Sequence, residues 1–178
     1  MINGIKKSLD YYTKNFSPYQ HRQVRILEFA RPQGTFAQSF PNTIPFSEGI
    51  GFIAKVDTTY PESVDYPFYL TAHEVAHQWW AHQVIGGNVQ GATVMSETMS
   101  QYSALMVMEK EFGKPAMKKF LKYEMNQYLQ GRATEGKKER PLMLCENQQY
   151  IHYNKGSVIM YALRDYIGED SLNAAFAK

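Results

Sequence analysis

The stretch Thr71-Ala72-His73-Glu74-Val75-Ala76-His77-Gln78-Trp79-Trp80 carries the pattern H-E-x-x-H inside an apolar segment with helical spacing over residues 67–85. At about 100° per residue, side chains four positions apart lie about 40° apart around a helix. His73 and His77 therefore present two imidazoles to one point, as two ligands of one metal ion must. Glu74, one residue along, cannot ligate the same ion in that geometry. It can reach a water bound to the ion and take its proton.

A catalytic zinc takes three protein ligands and keeps a position open for water. Between His77 and Glu109 the only acidic residue is Glu97, near the start of the helix expected after Gly86-Gly87. Two antiparallel helices joined by a short turn bring that start back beside the histidines. An acid there also suits the helix macrodipole, so position alone would not make Glu97 a ligand. His82 is the competing candidate. The extended histidine pattern H-E-x-x-H-x-x-G-x-x-H needs Gly at 80 and His at 83, and this chain has Trp80 and Gln83. The helix is therefore expected to run through, turning His82 about 140° away from His77.

Outward from this centre, Ile5, Leu9, Tyr12 and Phe16 mark a helix over 5–16, closed by Ser17-Pro18. Residues 24–29 read as a buried strand, and 44–56 as a second strand approached closely at Gly49 and Gly51. Residues 57–65 read as loop. Helices are expected over 92–112, 116–129, 150–167 and 171–176, with the charged, Gly- and Pro-punctuated stretch 131–142 as loop.

The 178 residues suit one globular unit, and the charge of +2 is spread without the basic stripe that nucleic acid or anionic lipid would need. Cys145 is the single cysteine, which excludes an intrachain disulfide and a cysteine-based zinc ribbon. No apolar run reaches the roughly 20 residues of a membrane span, and the start lacks a signal-peptide pattern. The chain opens inside an amphipathic segment and stops just after Phe176. Residues 1–178 are thus expected to be one catalytic domain cut from a longer protein, with compartment and oligomeric state left open.

Several stretches together resemble the M1 family of zinc aminopeptidases, within the gluzincins. His73 to Trp80 resembles the family's H-E-[LV]-A-H-Q-W-[FW]. Glu97 with Tyr102 resembles the E-G-x-x-x-Y that contains its third ligand, and Tyr153-Asn154-Lys155-Gly156 resembles its Y-x-K-G. Nineteen residues separate His77 from Glu97, one more than the family's usual spacing. The family's Gly-x-Met-Glu-Asn stretch survives only as Phe46-Ser47-Glu48-Gly49-Ile50-Gly51-Phe52, with Gly49 where Asn is expected.

The resemblance implies an α+β fold like thermolysin's catalytic domain, a small sheet beside the helices that carry the ligands. It implies one Zn2+ per chain on His73, His77 and Glu97, with Glu74 as general base. Tyr153 would stabilise the oxyanion; His152 could serve in principle, but the two diverge by about 100° on a helix. Glu48 would bind the free amino terminus of a peptide substrate running past Gly49 and Gly51. The resemblance also allows the longer protein to be attached to a membrane. Three readings stand open: an aminopeptidase, a zinc endopeptidase or oligopeptidase of the same fold, and a zinc- or peptide-binding module without turnover.

Overall fold

The computed structural model describes residues 1–57, 59–60, 63–146 and 148–177. Its elements are α1 (Ile2–Asn15), β1 (Arg25–Phe29), β2 (Thr43–Ser47), α2 (Tyr66–Ala76), a π-helical turn at Val94–Thr98, α3 (Met99–Phe112) and α4 (Lys114–Thr134). A second π-helical turn at Tyr150–Lys155 runs into α5 (Gly156–Ile167), and α6 (Glu169–Phe176) follows. The arrangement is α+β, as expected. The strands form a two-stranded parallel sheet with Arg25 opposite Thr43 and Phe29 opposite Ser47. Among the described residues no helix is long and apolar enough to cross a membrane.

The core lies where α2 packs between α1 and α3. α2 starts where the sequence Asp65-Tyr66-Pro67 dictates: the Asp65 carboxylate accepts from Phe68 N–H at 3.0 Å, and Pro67 sits in the first turn, where no N–H is needed. Almost every residue of α2 is buried, so its placement is fixed from all sides. From α1, the Tyr12 hydroxyl donates to Ala72 O at 2.9 Å, and the Tyr12 ring meets Trp79 edge-on at 5.4 Å.

Four expectations need correction. β1 is not a buried strand, since Arg25, Leu27 and Glu28 are exposed and Ile26 and Phe29 half-buried. The helix expected over 67–85 ends at Ala76, and the chain tightens into turns in which Ala81 takes a left-handed φ of 129°. The reason is tertiary. Trp79 Nε1–H donates to Ser17 O at 2.9 Å and Trp80 Nε1–H to Ser103 Oγ at 2.8 Å, so both indoles are buried against different elements. A continuing helix would hold them in one fixed relation, and the turn frees them.

The second strand stops at Ser47 rather than 56, because Glu48 O accepts from both Phe52 N and Ile53 N and closes a turn. α4 runs on to Thr134, past Gly131, into the stretch expected as loop. A Cβ at Gly131 would lie 2.5 Å from Tyr150 Cβ, so this glycine serves a close helix contact instead of a stop. Residues 48–57, 59–60 and 63–65 carry no helix or strand, in keeping with the loop expected over 57–65; Thr58, Pro61 and Glu62 lie outside the described residues.

Candidate metal centre

His73 and His77, at the end of α2, face each other with Nε2 atoms 3.0 Å apart and rings nearly perpendicular. Glu97, on the π-helical turn before α3, places Oε2 3.3 Å from both Nε2 atoms. Both imidazoles are buried and Glu97 is half-buried. The sequence brought these three together as candidate ligands, and the structure does the same.

The donor set fits a cation. Trp80 O, an acceptor only, lies 3.0 Å from His77 Nδ1, which assigns the ring proton to Nδ1 and leaves the Nε2 lone pair pointing into the cluster. Ser100 Oγ stands at the same distance from Nδ1 and helps to fix the ring. Glu97 Oε2 is buried and hydrogen-bonded to neither imidazole despite its closeness. With His73 in the same tautomer as His77, three electron-rich atoms converge. A tetrahedral zinc with bonds of about 2.0–2.1 Å spaces its ligand atoms about 3.3 Å apart, close to the edges of 3.0, 3.3 and 3.3 Å measured here.

Glu74 lines the same cavity, of about 740 Å³, and its buried Oε2 has no partner among the described residues. Burial raises its pKa, and Glu97 adds to the rise while the two histidines pull against it. Tyr153 lines the cavity too, its ring 5.8 Å from that of His73. Burial, then Glu97 and Glu74, push its hydroxyl above the usual tyrosine range, so it stays a neutral donor. His152 lines a second cavity, which shares Glu97, Tyr153 and Asn154 with the first, and is absent from the first. Burial lowers its pKa.

His82 also lines the cavity but belongs to a turn rather than to the helix, and it stands outside the ligand cluster. Glu48 is not among the lining residues. Its Oε1 accepts from Arg31 N–H at 2.9 Å, and only its neighbour Ile50 reaches the cavity wall. Gly49 and Gly51 are covered by the chain's own side chains: an added Cβ would meet Arg31 Cδ at 2.9 Å and Phe46 Cδ1 at 2.6 Å.

Sequence reasoning did not find Glu124 or Asn154 as parts of this cavity wall. Glu124 is fully buried, and burial pushes its carboxyl up to about 7 against hydrogen bonds from Asn154 and Tyr69. On a helix as polar as α4, nothing in its spacing marks Glu124 as buried. Asn154 could have been found from its place beside Tyr153.

The two π-helical turns cross. Thr98 Oγ1 donates to His152 O at 2.6 Å, and a Cβ at Gly156 would lie 2.7 Å from Thr98 Oγ1. Threonine is branched at Cβ and its hydroxyl is engaged, so it cannot step aside. Gly156→Ala is expected to destabilise the protein by about 1–3 kcal/mol through overpacking, measured by urea unfolding; an unchanged midpoint would mean that the crossing has slack.

No protein-family profile matches the sequence, and no curated protein matches it. Among solved structures, the chain is similar to an M1 zinc metallopeptidase from Deinococcus radiodurans, with a TM-score of 0.66 and 16% identity over 98% of this chain and 35% of that one. It is also similar to a point mutant of a two-domain M1 zinc metallopeptidase bound to the amino acid L-tryptophan, with a TM-score of 0.60 and 15% identity, covering 98% of this chain and 34% of that one. The chain spans about a third of the length of these structures. The chain therefore has the fold of a segment of the M1 zinc metallopeptidases.

Proposed function

We propose that this chain holds the reaction centre of a zinc peptidase that releases residues from the amino terminus of peptides. The observation that carries the reading is the convergence of His73, His77 and Glu97 on one point, with Glu74, whose buried Oε2 has no partner among the described residues, on the same cavity wall. When bound there, zinc polarises a carbonyl and lowers the pKa of its water toward about 7.

The side chains divide the remaining work. His73, His77 and Glu97 hold the ion. Glu74 takes the proton from the attacking water and passes it to the leaving amine. Tyr153, kept neutral by its surroundings, donates a hydrogen bond to the charge that develops on the scissile oxygen. Burial of His73, Glu74 and His77 excludes bulk water and strengthens each of these interactions.

Glu48, the residue that the sequence offers for a free amino terminus, stands outside the cavity wall, which its turn reaches only through Ile50. A second reading, an endopeptidase of the same fold, is favoured by the position of Glu48 itself outside that wall. The two are separated by assaying the zinc-loaded protein on free and N-acetylated aminoacyl anilides and on internally quenched peptides. Cleavage of free amines alone is the expected result. Cleavage of blocked peptides would replace the aminopeptidase with the endopeptidase, and zinc binding without any cleavage would leave a binding module.

A further inference from the structure

We propose that Glu124 is a positioning residue that holds Tyr153 in register with the metal-bearing helix. The proposal rests on the reading of Tyr153 as the donor to the scissile oxygen. Glu124 Oε1 accepts from the Tyr69 hydroxyl at 2.7 Å, and its Oε2 accepts from Asn154 Nδ2 at 2.7 Å. Tyr69 lies on α2 one turn before His73, and Asn154 directly follows Tyr153. One fully buried carboxylate on α4 thus joins the helix of the histidine ligands to the π-helical turn of Tyr153.

The opposite side of that turn is held as well, since Thr98, next to Glu97, donates to His152 O at 2.6 Å. The residues before and after Tyr153 are therefore pinned from two directions, one through the ligand segment and one through Glu124. A buried carboxylate is costly unless both oxygens are hydrogen-bonded, and here both bonds lead to elements of the site. Glu124 has no exposed surface although it backs the cavity wall, so it acts through the groups that it holds, Asn154 and with it Tyr153. A displacement of about 1 Å at a catalytic group can cost about 100-fold in rate.

The test compares Glu124→Gln and Asn154→Ala in the zinc-loaded protein, each alone and combined with Tyr153→Phe. Each single variant is expected to lower kcat by about 10- to 100-fold, with KM within about twofold and zinc content unchanged. In the Tyr153→Phe background neither should have a further effect, because the group they position is gone. Equal losses in both backgrounds would overturn the proposal and leave Glu124 a purely structural residue.

A second readout does not need turnover. With 13C-labelled tyrosine, the Tyr153 ring signal, assigned by its loss in Tyr153→Phe, is expected to move in both variants; an unmoved signal overturns the proposal. If wild type binds zinc but cleaves nothing, the peptidase reading fails, and the Tyr153 signal alone judges the positioning claim.

Discussion

Glu74→Gln is expected to keep its zinc while losing about 10²- to 10⁴-fold in kcat, the usual contribution of a general base. The two halves of the result have separate causes. The ligand triangle is made by His73, His77 and Glu97, and Glu74 takes no part in it, so an amide of the same shape leaves the metal affinity in place. The lost turnover follows because an amide cannot accept a proton. Glu74 Oε2 is buried and unpartnered, so no ion pair or structural hydrogen bond of that oxygen is broken by the change. Metal content by mass spectrometry and initial rates on the same preparation check both halves. Retained zinc with near-normal rates would take the proton transfer away from Glu74.

What the sequence revealed of this site depended on distance along the chain. His73, Glu74 and His77 lie within one helical turn or so, and helix geometry alone puts them on one point. Glu97 was legible for a different reason: it is the sole acid in the stretch that a short helix connection folds back. The π-helical form of its turn, which sets the carboxylate at 3.3 Å from both imidazoles, leaves no trace in apolar periodicity. The end of α2 was missed because Trp79 and Trp80 extend the apolar pattern while their indole N–H groups bond to Ser17 and Ser103, 62 and 23 residues away.

Glycines misled for a related reason. Gly49 and Gly51 signal a close approach, and one exists, but the approaching groups are Arg31 and Phe46 of the same chain. Gly131 resembles a helix stop, yet it lies inside α4 because Tyr150 needs the space that a Cβ would fill. In each case the local signal was read correctly as a missing side chain, and the partner that used the space lay too far off in sequence to be seen. Glu124 is the extreme case, since its bonds to Tyr69 and Asn154 span 55 and 30 residues.

Glu97→Ala and His77→Ala are each expected to weaken zinc binding by more than about 100-fold, beyond the 10- to 100-fold typical of changes one shell further out. Two ligands remain in either variant, but they remain differently. Without Glu97, both belong to a single helix end, and the ion no longer ties that end to the turn before α3. Without His77, one histidine and Glu97 still bridge the two elements. A ligand that binds only the folded state adds RT ln(1 + [L]/Kd), about 2.7 kcal/mol when zinc is present at 100 times its Kd. Wild type should therefore melt higher with zinc than with a chelator, and both variants should keep at most about 0.4 kcal/mol of that stabilisation at the same zinc concentration. Metal content and paired melts supply the check. If Glu97→Ala keeps both its zinc and its zinc-dependent rise in melting temperature, the third ligand lies elsewhere, and His82, the other histidine on the cavity wall, is the residue to replace next.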